Sequence, residues 1–195
     1  ILQFKKLFGK SYMEQKIRII RERRTGSLKN KLATIFMITF LLLNMLGLYI
    51  KPSTALERRV PQDYSTIQKA INAANPGDTI LVAAGTYPEY VLVNKSVTLK
   101  GDNRKSIITG DGTHTKIVEV NVGNVKITGF TVQDGGGWWK GIYVYPVGVP
   151  APLTGINITN NAMLNTNEGV FLSYCADATV SDNTIDYTYY GVRLH

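Results

Sequence analysis

Apolar and polar residues alternate in short runs through the second half of the chain, and these runs recur as a repeat. Segments beginning at Val125, Ile156 and Ala178 each carry apolar residues at their first, third and eighth positions. The last two starts are 22 residues apart, whereas the first two are 31 apart because of insertions near Trp138 and Pro146. Alternation over so few residues predicts short β-strands and not helices.

Each repeat also contains a tight corner and a later strand. The corners fall at Gly129, Asn160 and Asp182, and these residue types tolerate left-handed backbone. The later strand follows a glycine, at Gly141, Gly169 and Gly191. A unit of 22 residues cannot bury its apolar side alone, so we expect copies to stack as parallel sheets around a shared aliphatic core. This pattern predicts an all-β fold, a β-solenoid with coils of about 22 residues; a β-sandwich would instead require hairpin turns and no fixed repeat.

Asparagines follow two of the corners at equivalent positions of neighbouring repeats. Asn161 and Asn183 are 22 residues apart. In stacked coils their side-chain amides would lie one above the other, and each amide would bond to the next. We therefore expect a structural asparagine ladder.

The segment before the repeats has the pattern of a cap. Ile67, Ala70, Ile71 and Ala74 have helical spacing, which predicts a short amphipathic helix over 65–74 with Ser65 or Asp63 as its N-cap. Strands are then expected at Thr79–Val82, Tyr90–Val93 and Ser96–Leu99, with turns at Gly85 and Asn94. A helix of this kind can cover the open end of a solenoid core.

The N-terminal part of the chain has the pattern of a targeting segment. Leu32 to Ile50 is 19 residues without a charge, long enough to span a bilayer. The preceding basic run predicts that the N-terminus stays in the cytoplasm. Small residues at Ser53 and Ala55 fit cleavage after Ala55, so a cleaved secretory signal and a retained membrane anchor both remain open. Either interpretation places the following domain outside the cytoplasm, as a secreted, periplasmic or cell-surface protein.

The net charge of +8 belongs to this leader. Residues 1–31 hold ten basic and two acidic residues, whereas residues 32–195 hold twelve of each. A nucleic-acid-binding domain needs a basic face of its own. We therefore expect no nucleic-acid partner.

These patterns divide the chain into four parts. Residues 1–31 form the basic cytoplasmic region, 32–55 the signal or anchor helix, 56–124 the cap and first coils, and 125–195 the repeats. The repeats stop just after a Gly-x-x-Leu strand with no capping element, so we expect further coils beyond His195.

The segment Asp63 to Asn103, DYSTIQKAINAANPGDTILVAAGTYPEYVLVNKSVTLKGDN, resembles the opening of right-handed parallel β-helix proteins of the pectin-lyase-like superfamily. It is most similar to the NosD-type family of periplasmic copper-binding accessory proteins. The runs Asn160–Met163 and Gly169–Leu172 resemble the same group. This resemblance implies a right-handed parallel β-helix over residues 60–195. It says less about function, since such folds include lyases, esterases, hydrolases and inert scaffolds.

Catalytic chemistry finds little support in the residues. The segment after Phe130 lacks the glutamine and the later motifs of pectin methylesterases. A lyase would need a calcium-binding carboxylate cluster and a base, and the candidates are listed here: Asp177, Asp182, Asp186 and Arg193. Asp182, however, occupies a corner of the repeat. A glycosidase pair could be formed by Asp134 and Glu168.

No metal or cofactor site is expected. The two histidines, His114 and His195, are 81 residues apart and form no cluster. We assign no catalytic residue, metal or cofactor, and the sequence favours a non-catalytic protein.

Aromatic residues indicate a binding surface. Tyr and Trp that face outward along a solenoid can stack on sugar rings and hydrogen-bond to sugar hydroxyls. The candidates are Trp138, Trp139, Tyr143, Tyr145 and Tyr174. The leading hypothesis is an exported scaffold or carbohydrate-binding module whose partner is a polysaccharide or cell-surface glycan. The alternatives are a NosD-like accessory protein for copper-enzyme maturation, and a polysaccharide lyase, esterase or glycosidase whose site lies beyond residue 195.

Overall fold

The chain divides into two compact units, Ile1–Pro52 and Ser53–His195. The structure, a computed structural model, describes residues 13–16, 18, 21, 26, 28–42, 55–133, 139–148 and 151–195. In the first unit residues 28–42 are helical, and the remainder of the predicted span, 43–50, lies outside the described residues. Within the part that is described, no helix combines the length and the apolar run needed to cross a membrane.

The described part of the second unit consists of short strands and one helix. In chain order the strands are β1 (Glu57–Val60), β2 (Thr79–Val82), β3 (Gly85–Tyr87), β4 (Val91–Val93), β5 (Thr98–Gly101), β6 (Ser106–Ile108), β7 (Lys116–Val120), β8 (Val125–Thr128), β9 (Phe130–Gln133), β10 (Lys140–Val144), β11 (Ile156–Thr159), β12 (Ala162–Leu164), β13 (Glu168–Leu172), β14 (Thr179–Ser181), β15 (Thr184–Asp186) and β16 (Tyr190–Leu194). The helix, Ile67–Ala73, is called the capping helix below.

Three parallel sheets run along the unit: each of the five coils contributes one strand to each sheet, and β1 adds a sixth strand to sheet A. Sheet A has the order β1-β2-β5-β8-β11-β14, sheet B the order β3-β6-β9-β12-β15, and sheet C the order β4-β7-β10-β13-β16. This confirms the predicted all-β parallel solenoid, with about five turns, and it fits a pectin-lyase-like β-helix. The right-handed sense of winding stays a prediction.

The strand register reproduces the alignment of the repeats. Ile156 pairs with Val125, and Asn157 pairs with Thr179 in the next coil. One insertion falls between β9 and β10 and the other between β10 and β11, so the register of the strands is kept. The reason is physical, since a one-residue slip would turn every core side chain to the opposite face of its sheet.

The core consists of aliphatic columns that run along the solenoid. In sheet A, Ile80, Leu99, Ile127 and Ile158 occupy one register position on successive coils, and each is at most 1% exposed. Full burial of such a side chain stabilises the fold by about 1.5–3 kcal/mol. Adjacent coils therefore stabilise one another, as the repeat pattern requires.

Corners and side-chain ladders define the turn between sheets A and B. Gly129, Asn160 and Asp182 all have left-handed φ, at 79°, 55° and 57°. Directly after them, Asn183 Oδ1 accepts hydrogen bonds from the Asn161 backbone N–H at 2.9 Å and from Asn161 Nδ2 at 3.2 Å. Each amide thus bridges neighbouring coils.

The capping helix covers the first coil, and its N-cap differs from the expected one. The N-cap is Thr66, whose hydroxyl accepts from the Lys69 backbone N–H at 3.1 Å. Ser65 instead bonds to the Lys69 ammonium, and Asp63 accepts from the Arg59 backbone N–H. Because Ser65 and Asp63 have other partners, the N-cap lies one or three residues after the predicted positions.

Contacts from the solenoid hold this helix in place. Glu89 accepts from the backbone N–H groups of Ile67 and Gln68, both at 3.0 Å, so a distant carboxylate caps the helix N-terminus. The Gln68 side chain bonds to both the N–H and the C=O of Leu92, at 2.7 and 3.2 Å. A side-chain amide thereby pairs with the outer strand of sheet C, where an unpaired edge would invite association.

Strand boundaries differ from the predictions where strands are shortest. The strand expected at Ser96–Leu99 is Thr98–Gly101, and β3 begins at Gly85, where a turn was expected. β1, β3, β6 and β7 were not predicted. Strands of three to five residues carry too few alternations to be distinguished from turns.

Candidate functional site

The outward side of sheet C carries one column of side chains that crosses successive coils. Glu119 of β7, Tyr143 of β10, Phe171 of β13 and Arg193 of β16 are in direct register. Their neighbours in sequence point into the core, because successive side chains of a strand face opposite sides. We call this surface the aromatic face.

Aromatic rings stack along the face. The rings of Tyr143 and Phe171 lie 4.7 Å apart with an interplanar angle of 7°. Tyr145 lies 6.1 Å from Tyr143, and His195 lies 6.3 Å from Phe171. The 4.7 Å separation matches the spacing between adjacent strands, so the parallel register itself produces the stack.

Cations flank these rings. Lys116 Nζ and Lys140 Nζ each lie 4.5 Å from the centre of the Tyr143 ring, and Lys140 Nζ lies 5.1 Å from that of Phe171. The Arg193 guanidinium is 5.8 Å from the Phe171 ring. Such contacts are favourable, because the face of an aromatic ring attracts a cation. Burial, with the nearby Tyr145 and carboxylates, raises the pKa of Tyr143, so its hydroxyl stays protonated and can donate a hydrogen bond.

Two carboxylates lie beneath the cations. Glu168 Oε1 accepts from Arg193 Nη1 at 2.7 Å, and Glu168 Oε2 is 3.6 Å from Lys140 Nζ. Glu119 accepts from the Tyr90 hydroxyl at 2.6 Å and from Lys116 Nζ at 2.9 Å. Burial of Glu119 opposes its ionisation, but these two hydrogen bonds, together with the nearby charges of Lys116 and His114, lower its pKa.

The negative charges of the aromatic face lie deeper than its positive charges. The Glu168 and Glu119 side chains are 4% and 12% exposed, whereas those of Lys116, Lys140 and Arg193 are 28%, 31% and 47% exposed. Solvent therefore meets the cations and the half-buried Tyr143 ring first, whereas Phe171 is only 7% exposed. This arrangement can stack on an apolar ring face and donate hydrogen bonds to hydroxyl or carboxylate oxygens.

An aromatic–histidine pair lies at the first-coil side of the face. The Tyr90 and His114 rings stack at 4.0 Å and 7°, and His114 Nδ1 is 2.7 Å from Asp111 Oδ2. Backbone N–H groups of His114 and Thr113 bond to Asp111 and keep its pKa well below the ordinary range. His114 is thereby oriented by a charged carboxylate.

The predicted sugar-stacking residues do not all lie on this face. Tyr143 and Tyr145 do. Trp139 packs against the core, and its backbone carbonyl accepts from the Asn167 N–H at 2.7 Å. Tyr174 is 54% exposed and has φ 51° in the turn after β13. Trp138 lies outside the described residues.

The candidate catalytic residues have structural partners in this fold. Arg193 is bound to Glu168, and Asp177 and Asp182 occupy left-handed turn positions. Asp186 accepts from the Tyr187 backbone N–H at 2.9 Å. Across the described ranges, no group of three or more His, Cys, Asp or Glu residues could hold a metal ion. Asp134 of the proposed glycosidase pair lies outside them.

Sequence reasoning missed Phe171, Lys116 and Lys140 as members of the face. A signal was present, because Tyr143, Phe171 and Arg193 each come two residues after the repeat glycine. Residues at that position share one face in every coil. Lys140 directly precedes the repeat glycine Gly141 and is in register with Lys116, but nothing in the sequence indicated that these lysines pack against Tyr143.

Comparisons with known proteins agree with this fold. A "Cell surface glycoprotein" of Methanothermus fervidus is 31% identical to the chain over 134 residues, which is 68% of this chain and 21% of that protein. The chain thus spans about a fifth of the length of this curated relative. No solved structure matches. Residues 58–195, which include β2 to β16 and the capping helix, match one family model. The chain therefore belongs to the family described as "Protein of unknown function (DUF1565)".

Proposed function

We propose that this chain is part of an exported cell-surface β-helix protein that binds carbohydrate through the aromatic face. The cell-surface part is supported by the name of the Methanothermus fervidus relative. The carbohydrate-binding part is supported by one observation above all. A half-buried Tyr143 ring is stacked on Phe171 and flanked by two lysine ammonium groups.

This arrangement suits a sugar for physical reasons. A sugar ring offers C–H groups on its faces, which pack on aromatic rings, and hydroxyls on its rim, which need hydrogen-bond partners. Tyr145 is 44% exposed and offers ring surface, while Lys140 offers donors beside Tyr143 and Arg193 offers donors beside Phe171. Because the coils repeat the same face, successive sugar units could contact successive coils.

Glycan-array binding with matched variants tests the proposal. Tyr143→Ala should weaken binding by roughly tenfold, the effect of losing about 1–1.5 kcal/mol of aromatic contact. Tyr143→Phe should keep most of the affinity, because it retains the ring. Tyr187→Asn is the matched control, since it removes a 79% exposed ring from the turn after β15 and asparagine tolerates its φ of 54°. Equal losses for Tyr143→Ala and Tyr187→Asn, or no binding to any glycan, would contradict the proposal.

The proposal includes export by the N-terminal segment, as a cleaved signal or a retained anchor at residues 32–50. Residues 28–42 are helical, and their large apolar side chains are exposed, with Phe36 at 72%. The Thr34 hydroxyl donates to the Asn30 carbonyl at 2.8 Å, so this polar group is satisfied within the helix, as hydrocarbon surroundings would demand. N-terminal sequencing of the exported protein would distinguish cleavage after Ala55 from retention.

The NosD-like accessory role and a catalytic role remain predictions. No observation among the described residues favours either over binding. Turnover of polygalacturonate that is lost on changing Asp177, Asp182 or Arg193 would require an enzymatic function instead.

A further inference from the structure

The turn between β4 and β5 contains a sequence motif that is not part of the aromatic face. Residues Asn94-Lys95-Ser96 form an Asn-x-Ser triplet, the acceptor for N-linked glycosylation. The chain has a second triplet of this class, Asn157-Ile158-Thr159. The two triplets lie in very different structural settings.

Asn94 projects from a turn that is otherwise held in place. The Lys95 ammonium bonds to the Asn72 and Ala74 carbonyls, and the Ser96 hydroxyl donates to the Gly123 carbonyl at 2.8 Å. Val93 before it is fully buried. Asn94 itself is exposed, and its side-chain amide forms no hydrogen bond in the described structure. A group attached to Nδ2 would therefore extend into solvent and displace no contact.

Asn157 lies in the interior of sheet A. Its strand, β11, pairs with β8 on one side and β14 on the other, so the residue lies between Lys126 and Thr179. Its Oδ1 is buried and has no hydrogen-bond donor. Asn157 is half-buried on a central strand, so an attached glycan would have to pass between neighbouring side chains, in contrast to the exposed turn at Asn94.

We propose that Asn94 is a site of N-linked glycosylation, and that Asn157 is not. The co-reactant would be a lipid-phosphate-linked oligosaccharide. A bond forms between Asn94 Nδ2 and the anomeric carbon of the first sugar, and the bond from that carbon to the phosphate oxygen breaks. The lipid phosphate leaves with the electron pair, and the amide loses one proton. The inference rests on the export component of the proposed function, because such transfer takes place on exported chains.

The glycan would not obstruct the aromatic face. Asn94 follows β4 at the capped end of the solenoid, and Lys95 beside it is bound to the end of the capping helix. Tyr143 and Phe171 lie two and three coils further along sheet C. Modification and binding should therefore be independent.

Site mapping on secreted protein tests the inference. Residues 53–195, which form a compact unit of their own, would be expressed behind a cleavable secretion signal in yeast, a host that performs N-linked glycosylation, so that residues 32–50 cannot stop transfer of the domain. Enzymatic removal of the glycan in heavy-oxygen water converts each modified asparagine to a labelled aspartate, which mass spectrometry locates. We expect label at Asn94 and little or none at Asn157.

Matched variants make the result specific. Asn94→Gln should abolish the label and the associated mass increment of the intact protein, whereas Asn157→Gln should leave both unchanged. Ser96→Thr, which keeps the hydroxyl, should retain the label. A secreted chain without label at Asn94, or with more label at Asn157 than at Asn94, would overturn the inference.

The same preparations separate this inference from the proposed function. Unmodified Asn94 in a chain that binds glycans through Tyr143 would overturn only the modification site. Modified Asn94 in a chain that binds no glycan would overturn only the carbohydrate-binding proposal.

Discussion

Asp78 places a full charge inside the capped end of the solenoid. It is completely buried, and its oxygens accept from the Asn75 backbone N–H, the Leu56 backbone N–H and Arg58 Nε, each at 2.9 Å. The backbone bonds, first that from Asn75, then the Arg58 contact, lower the pKa of this carboxyl despite its burial. The charged form is thus the one that the fold stabilises.

The substitution Asp78→Asn should lower the free energy of unfolding by about 2 kcal/mol at neutral pH, the scale of hydrogen bonds to a charged group. Because the folded pKa lies below that of the unfolded chain, about 3.9, the stabilisation is complete above that pH. It disappears as pH falls through the folded pKa. Urea titrations at several pH values should show this acid loss in the parent chain and a smaller loss in Asp78→Asn.

The matched control is Asp177→Asn, which makes the same chemical change at an exposed turn residue. It should change the free energy of unfolding by less than about 0.5 kcal/mol. Identical acid titrations for the parent and Asp78→Asn would refute the assigned role of Asp78.

Gly129 and Gly112 have almost the same φ, 79° and 78°, but different surroundings. A Cβ on Gly129 would lie 2.6 Å from the Gly101 carbonyl oxygen, whereas a Cβ on Gly112 would meet nothing within 4 Å. Gly112→Ala should cost about 1 kcal/mol from backbone strain alone. Gly129→Ala should cost about 3 kcal/mol, since overpacking adds to that strain. Equal shifts in thermal midpoint would show that close coil packing at Gly129 is unimportant.

The left-handed backbone at the corners could be predicted from the residue types, but the residues that contact these corners in space could not. Glycine, asparagine and aspartate at positions 129, 160 and 182 indicated left-handed backbone, because conformational preference is local. The contact of Gly129 with Gly101 and the bonds from Leu56 to Asp78 depend on which coil stacks on which. That arrangement follows from strand register, which a local pattern does not specify.

At the scale of elements, one side chain joins non-adjacent coils. Arg104 lies in the turn after β5, and its guanidinium donates to Asn160 O at 3.3 Å, Thr184 Oγ1 at 3.0 Å and Asp182 O at 2.9 Å. These partners belong to the fourth and fifth coils. Arg104 therefore links the corners of sheets A and B over most of the repeat region.

Arg104→Lys keeps the charge but loses the planar set of donors that reaches three acceptors. We expect amides of β14 and β15 to exchange hydrogen several-fold faster, which corresponds to about 1 kcal/mol, while amides of β2 and β5 are unchanged. Hydrogen-exchange mass spectrometry measures both sets in one experiment. Lys100→Gln, which changes an exposed charge at the end of β5, is the control. Uniform acceleration in all coils would mean that Arg104 stabilises the fold globally and is not a local link.

At the scale of the whole molecule, the two ends of the solenoid differ in protection. The capping helix covers the first coil, where Ile80 is fully buried, whereas Val192 and Leu194 of the fifth coil are 48% and 74% exposed. In a stack of coils, stability is a sum of terms between neighbours. Among the described residues, the fifth coil packs against the fourth coil.

We therefore expect a gradient of hydrogen exchange in a polypeptide of residues 1–195. Amides of β14 to β16 should exchange fastest, and those of β5, β8 and β11 slowest, with β2 protected by the capping helix. Equal protection of β2 and β16 would show that the chain unfolds as a single cooperative unit.

The sequence by itself determined the repeat, its corners, the cap and the zero net charge of residues 32–195. These properties follow from local rules of periodicity, backbone preference and composition. Only the tertiary structure decided which side chains form the aromatic face. Tyr143 meets Phe171, and Glu168 meets Arg193 from 25 residues away, because parallel stacking aligns strands through turns of unequal length. The physical reason is that hydrogen bonding and core packing between coils set the register, and register brings distant residues into contact.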